Sequence, residues 1–190
     1  MGFHLGHELS ALSRIVGAMG PRTSADRPPQ VSVIGVGRPD EEAEALAEEV
    51  GRLLAKAGVR VVCGGLGGVM SAVAKGASEA GGEVIGIVPS ADPADANPYC
   101  THVIATGIGK ARNLAVVASG EAVIAIGGQW GTLSEIAHAR EFGRPVVALA
   151  SWRVEPHVPI AGGEGIEPAE TPEHAVSLAL SAIGRRAASL

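Results

Sequence analysis

The segment Gly127-Gly128-Gln129-Trp130-Gly131-Thr132-Leu133-Ser134-Glu135 follows an apolar run, Ala122 to Ile126, and carries no carboxylate until its last residue. A helix leaving such a turn offers unpaired N–H groups and the positive end of its dipole, and glycine lets an anion approach the backbone closely. The construction recurs at Cys63-Gly64-Gly65-Leu66-Gly67-Gly68-Val69-Met70. Two such turns predict a site for a phosphorylated ligand. Gly65, Gly67, Gly68, Val69 and Met70 would stand on one side of it, and Gly127, Gly128, Gln129, Trp130, Gly131 and Thr132 on the other. Lys110 and Arg112 fall in the opening turn of another predicted helix, where the dipole disfavours cations. Either both point into water, or a bound anion offsets the mismatch, with Arg112 as its bidentate partner.

Glu135 admits two readings. Thr132-x-x-Glu135 fits a capping box, in which the carboxylate returns to the N-cap amide; the same carboxylate could instead act in catalysis. His138 lies one turn further on, but a single Glu-x-x-His is more often structural than metal-binding, and no metal is expected. Trp130 could stack on a base or cover the edge of a sheet.

A third glycine turn, Gly35-Val36-Gly37, is followed by Asp40, Glu41 and Glu42, which already satisfy their helix start and would repel a phosphate there. Gly35 and Gly37 stay among the candidate cofactor-binding positions, but the phosphate belongs at the other two turns. Gly35-x-Gly37 also lacks the third glycine of a dinucleotide fingerprint, and Thr106 to Asn113 lacks the first glycine and the Ser/Thr of a P-loop.

The elements that must hold these residues alternate along the chain. Strands are predicted at 31–36, 59–63, 83–88, 102–105, 121–126 and 145–149, and helices at 40–57, 68–80, 110–119, 132–142 and 173–184. A Pro/Gly-rich stretch at 154–172 reads as a connection. Near-continuous apolar strands between helices predict an α/β fold, a doubly wound, mostly parallel sheet with helices on both faces. Ligands of such sheets bind beyond the carboxyl ends of the strands, where the glycine turns fall. Residues 1–30 read as an N-terminal helix and linker, and residues 31–190 as a single Rossmann-like domain.

Of the 190 residues, 27 are glycine, placed at element ends rather than in a repeat. The 46 % hydrophobic content with 3 % aromatics makes an Ala/Val/Ile/Leu core. A net charge of −5 argues against nucleic-acid and anionic-membrane partners. Cys63 and Cys100 are far apart in sequence and read as reduced thiols. Neither a membrane span nor a signal peptide is evident, so a cytoplasmic location is expected.

Together Gly64 to Met70, Arg112-Asn113 and Gly127 to Glu135 resemble the signatures of the Rossmann-like LOG ("Lonely Guy") superfamily, whose members are often mislabelled lysine decarboxylases. The resemblance covers about residues 31–150 and is nearest to a branch related to molybdenum-cofactor carrier proteins. That branch also has Gly at the position of Gly127 and a sequence like Ala111-Arg112-Asn113. LOG-type enzymes are phosphoribohydrolases that cleave the N-glycosidic bond of nucleoside 5′-monophosphates. The resemblance implies that Arg112 and Glu135 correspond to their catalytic pair, with Asn113 in the ligand-binding set. Here Asn113 replaces a Lys, Gly127 a Pro and Gln129 a Gly. An intact anion cradle beside an altered catalytic signature favours a binding or carrier protein for a nucleotide-type ligand, with molybdenum cofactor as one instance. The alternative is a nucleoside-monophosphate phosphoribohydrolase. No cofactor is required in either reading; the ligand itself would be a nucleotide or molybdopterin-type compound. The resemblance, with the Ala-rich helices at 110–119 and 132–142, also implies a homodimer. A lysine decarboxylase is disfavoured, because Lys56, Lys75 and Lys110 are the only lysines and none stands in a pyridoxal-phosphate setting.

Overall fold

The apolar runs of the sequence become the strands of one sheet. The computed structural model describes residues 27–154 and 165–188. Its strands are β1 (Gln30–Gly35), β2 (Arg60–Cys63), β3 (Val84–Val88), β4 (His102–Ala105), β5 (Ala122–Ile126), β6 (Val146–Leu149) and β7 (Ile166–Ala169). They lie in the order β4-β3-β2-β1-β5-β6-β7, with every pairing parallel. The helices among the described residues are α1 (Glu41–Lys56), α2 (Val69–Glu79), α3 (Arg112–Ser119), α4 (Trp130–Glu141) and α5 (Pro172–Ala187). The predicted N-terminal helix lies outside the described residues.

Successive strand residues point to opposite faces, so each strand feeds two cores. Val31, Val33, Val61, Cys63, Ala122, Ile124 and Ile126 pack with α1, α2 and α5 on one face. Ile34, Val62, Val123 and Ala125 pack with Val116 and Val117 of α3 and Ile136 and Ala139 of α4 on the other. The doubly wound α/β architecture read from the sequence is the one observed. α1 and α2 cross closely because each presents a glycine: a Cβ at Gly51 would lie 2.1 Å from Val73 O, and one at Gly76 1.9 Å from Glu48 O. Ser32, buried in β1, donates its hydroxyl to Val116 O at 2.7 Å and ties α3 to the sheet.

Among the differences from the expected elements, two have a physical consequence. β7 lies inside the stretch read as a connection. It carries Pro168, which has no N–H for a ladder, and it is tolerated because β7 is an edge strand, paired only with β6 among the described residues. α4 begins at Trp130 rather than near Thr132, which changes the surroundings of Glu135.

The chain leaves β1 in one direction, through α1 to β2, and later returns to β1's other side as β5. This reversal opens a crevice beyond the ends of β1 and β5. Gly35 lets the two strand ends close up, since a Cβ there would sit 2.4 Å from Ile126 O.

Candidate functional site

A cavity of about 310 Å³ fills that crevice. The end of β1 supplies its floor from Val33 to Gly37, and the turn after β2 supplies Gly64 and Met70. The approach to α3 contributes Lys110, Arg112 and Asn113, while the start of α4 contributes Gln129, Gly131, Thr132 and Glu135. The topology therefore brings Arg112 and Glu135, 23 positions apart in sequence, into one concavity.

Arg112 is the first residue of α3, reached through a tight 3-10 turn at Gly109–Ala111, and it is 6 % exposed. Its guanidinium lies on the backbone of Gly64: a Cβ at that glycine would be 2.3 Å from Nη1 and 2.7 Å from Nη2. Nη2 donates to Met70 Sδ at 3.9 Å, a weak acceptor, and buried Nε has no partner among the described residues. Burial lowers the Arg112 pKa from its ordinary value, opposed by the charges of Glu135 and Cys63. The cation is thus desolvated and largely unpaired.

Glu135 is 7 % exposed, and burial pushes its carboxyl up to about 7 against the attraction of Arg112. The capping box does not form. α4 starts at Trp130 behind an N-cap Gln129 whose side chain makes no cap hydrogen bond, so Glu135 lies in the second turn, out of reach of the N-cap amide. The first helical bond is Leu133 N–H to Gln129 O at 3.0 Å. The preceding amides of Trp130, Gly131 and Thr132 find no acceptor among the described residues, and no acidic side chain stands in that first turn.

The turn after β2 is arranged differently. Val69 N–H donates to Val36 O at 3.0 Å, and a Cβ at Gly68 (φ +60°) would meet Val36 O at 2.4 Å. The loop after β1 therefore packs onto the start of α2. Gly65, Gly67, Gly68 and Val69 do not line the cavity, to which this turn gives only Gly64 and Met70. Gly127 and Gly128 also lie outside the wall; Ser151 Oγ donates to Gly127 O, and a Cβ at Gly128 would meet the Thr132 side chain at 2.7 Å. Trp130 is 77 % exposed and leans on Trp152, ring centroids 5.4 Å apart, while Trp152 Nε1 donates to Gln129 O at 3.3 Å. It covers its neighbour rather than entering the cavity. At α1 the carboxylates act as read: Asp40 caps the helix by accepting from Ala43 N at 3.1 Å, and Glu41, Glu42 and Glu44 crowd the first turn.

Gly35, Gly37, Met70, Arg112, Asn113, Gln129, Gly131, Thr132 and Glu135, expected at the ligand site from the sequence, all line the cavity. Lys110, weighed beside Arg112 as a cation at a helix start, lines it too. Gly64 stands inside the Cys63–Met70 motif, and only the packing of Arg112 on it reveals its part. Val33, Ile34 and Val36 give no chemical signal. His138 is half-buried, with Nδ1 3.5 Å from Glu141 rather than facing Glu135. Among the described residues no cluster of three or more His, Cys, Asp or Glu could hold a metal ion, and no helix is long and apolar enough to cross a membrane.

Comparison with known proteins places this geometry among relatives. Residues 28–176 match the model of the SLOG cluster4 family. An uncharacterized protein of Archaeoglobus fulgidus is 44 % identical over 152 residues, covering 80 % of this chain and 95 % of its own. The molybdenum cofactor binding protein of Rippkaea orientalis superposes with a TM-score of 0.73 at 32 % identity, covering 83 % of this chain and 98 % of that one. The molybdenum cofactor carrier protein of Chlamydomonas reinhardtii gives 0.72 at 29 % identity, covering 83 % and 99 %.

Proposed function

From the premise that the chain belongs to the SLOG cluster4 family, we propose that it is a binding or carrier protein for a phosphorylated small molecule of nucleotide or pterin type, with molybdenum cofactor as its cargo. The observation that carries the reading is the state of Arg112: a buried guanidinium with an unpartnered Nε, facing a cavity. Burying such a cation costs several kcal/mol unless it is paired. A phosphate oxygen would pair it through charge-assisted, bidentate hydrogen bonds. The open amides of α4 add donors on the other wall. Glu135, with its carboxyl near 7, is partly protonated at neutral pH and repels an anion less than an ordinary glutamate would. At about 310 Å³ the cavity matches the small end of ligand pockets, which start near 300 Å³; a phosphate and its sugar or pyran would fill it. The cargo itself rests on the two similar structures, described as molybdenum cofactor binding and carrier proteins.

Thermal-shift screening and native mass spectrometry against AMP, ribose 5-phosphate and molybdopterin compounds test this. A ligand at 100 times its Kd adds about 2.7 kcal/mol of stability. The expected result is a clear rise in Tm with at least one phosphorylated compound and none with its dephosphorylated form. No shift with any of them would overturn the proposal.

One observation favours a second reading, nucleoside-monophosphate phosphoribohydrolase. A carboxyl near 7 beside an arginine can take and return a proton at neutral pH, as general acid–base chemistry requires. Incubation with AMP while following free base discriminates the two. Release that vanishes in Glu135→Gln but survives in Ser134→Ala supports the enzyme.

A further inference from the structure

Cys63 and Cys100 are 37 positions apart in the chain and stand side by side in the fold. Cys63 ends β2, fully buried, and its register partner on β3 is Gly86. Cys100, half-buried just before β4, puts its sulfur over that glycine: a Cβ at Gly86 would lie 2.5 Å from Cys100 Sγ. Gly86 thus clears the space beside Cys63 that the second thiol occupies. Both thiols are free.

The surrounding hydrogen bonds link this pair to the cavity. Asn97 N–H donates to Gly65 O at 2.8 Å, and Asn97 Nδ2 donates to Leu66 O at 3.0 Å. Cys100 N–H returns to Asn97 O at 3.3 Å, with its thiol 3.6 Å from Asn97 Oδ1. The turn at 97–100 is therefore stitched to the glycine turn that seats the Arg112 guanidinium. The two thiols are also unequal. Cys63 is held above the ordinary thiol range, first by hydrogen bonding with Cys100 and then by burial. Cys100 is lowered, first by hydrogen bonding with Cys63 and then, against burial, with Asn97. The more acidic thiol is the one nearer solvent, the division expected of an attacking cysteine beside a resolving one.

We propose that Cys63 and Cys100 form a reversible dithiol–disulfide pair, oxidised by a peroxide, that fastens the 97–100 turn to the end of β2, next to the glycine turn that seats Arg112. The Cys100 thiolate attacks a peroxide oxygen; the O–O bond breaks, leaving a sulfenic acid on Cys100 and releasing hydroxide. Cys63 sulfur then attacks Cys100 sulfur, the S–O bond breaks, and the Cys63 proton leaves with the hydroxide as water. Two thiols lose two electrons in all, and one hydrogen peroxide becomes two waters. A dithiol reductant reverses the change.

The test treats the full chain with hydrogen peroxide, alkylates remaining thiols, and reads intact mass and peptide maps. The expected result is loss of both alkylation sites together, a linked Cys63–Cys100 peptide, a monomer on a non-reducing gel, and full recovery in dithiothreitol. The cross-link also raises Tm. Cys63→Ser stops at a sulfenic acid on Cys100 that dimedone captures, and Cys100→Ser does not react at the same dose. The proposal is overturned if wild-type thiols stay alkylatable, if dimedone labels wild-type Cys100 without cross-linking, or if the linkage joins two chains. Peptide mapping of the wild type decides the matter even if a core variant folds poorly.

Discussion

Replacing Glu135 by Gln isolates the electrostatic burden of the site. Burial raises the Glu135 carboxyl from 4.5 to about 7 in the folded chain, with the attraction of Arg112 already included. Below pH 4.5 the group is protonated in both folded and unfolded chains and has no effect on the equilibrium. Between pH 4.5 and 7 the folded chain keeps a proton that the unfolded chain has lost, so stability falls as pH rises. Above pH 7 both are ionised and the folded chain bears the whole cost. At about 1.4 kcal/mol per pH unit that interval amounts to about 3 kcal/mol. Gln has nearly the same shape and no charge, so the variant escapes this decline. Urea unfolding of wild type and Glu135→Gln across matched pH values measures it. The two should converge near pH 4.5 and diverge until the variant leads by about 3 kcal/mol above pH 7. Parallel curves throughout would mean that the carboxyl is solvated in the folded chain and bears no such cost.

Three more outcomes follow from the same geometry. Arg112→Met, which keeps an apolar stem against Gly64, abolishes anion binding while raising the stability of the free chain on the scale of an unsatisfied buried group, about 1–3 kcal/mol by urea titration. Gly64→Ala and Gly68→Ala separate the site from the scaffold. The first displaces the movable Arg112 guanidinium and weakens phosphate-ligand affinity about tenfold, or about 1.4 kcal/mol, with little change in Tm. The second drives a Cβ into Val36 O at φ +60° and lowers stability by about 1–3 kcal/mol. Ser32→Ala removes the hydroxyl that reaches Val116 O and lowers unfolding stability by about 1 kcal/mol without touching ligand affinity.

The parallel sheet can be read from the chain because strands buried on both faces spell uninterrupted apolar runs, as in Ala122 to Ile126. β7 escapes that reading: Ile166-Glu167-Pro168-Ala169 needs only one partner, so it can carry a proline and a charge. The pattern Thr132-x-x-Glu135 imitates a helix start, yet α4 begins two residues earlier and turns both side chains inward. For Arg112 the useful clue is its conflict with the helix dipole, an unfavourable placement among residues that otherwise agree. Sequence alone does not show that the guanidinium rests on Gly64, nor that Gly86 makes room for two distant thiols to meet. Both depend on strand register and loop packing, which local pattern does not encode.

Equilibrium titration shows whether the buried guanidinium of Arg112 is held ready for a phosphate. Wild type and Arg112→Met are each titrated with the phosphorylated compound that gives the largest thermal shift. One equivalent should bind per wild-type chain and none to the variant; equal binding by both proteins would show that Arg112 does not hold the phosphate.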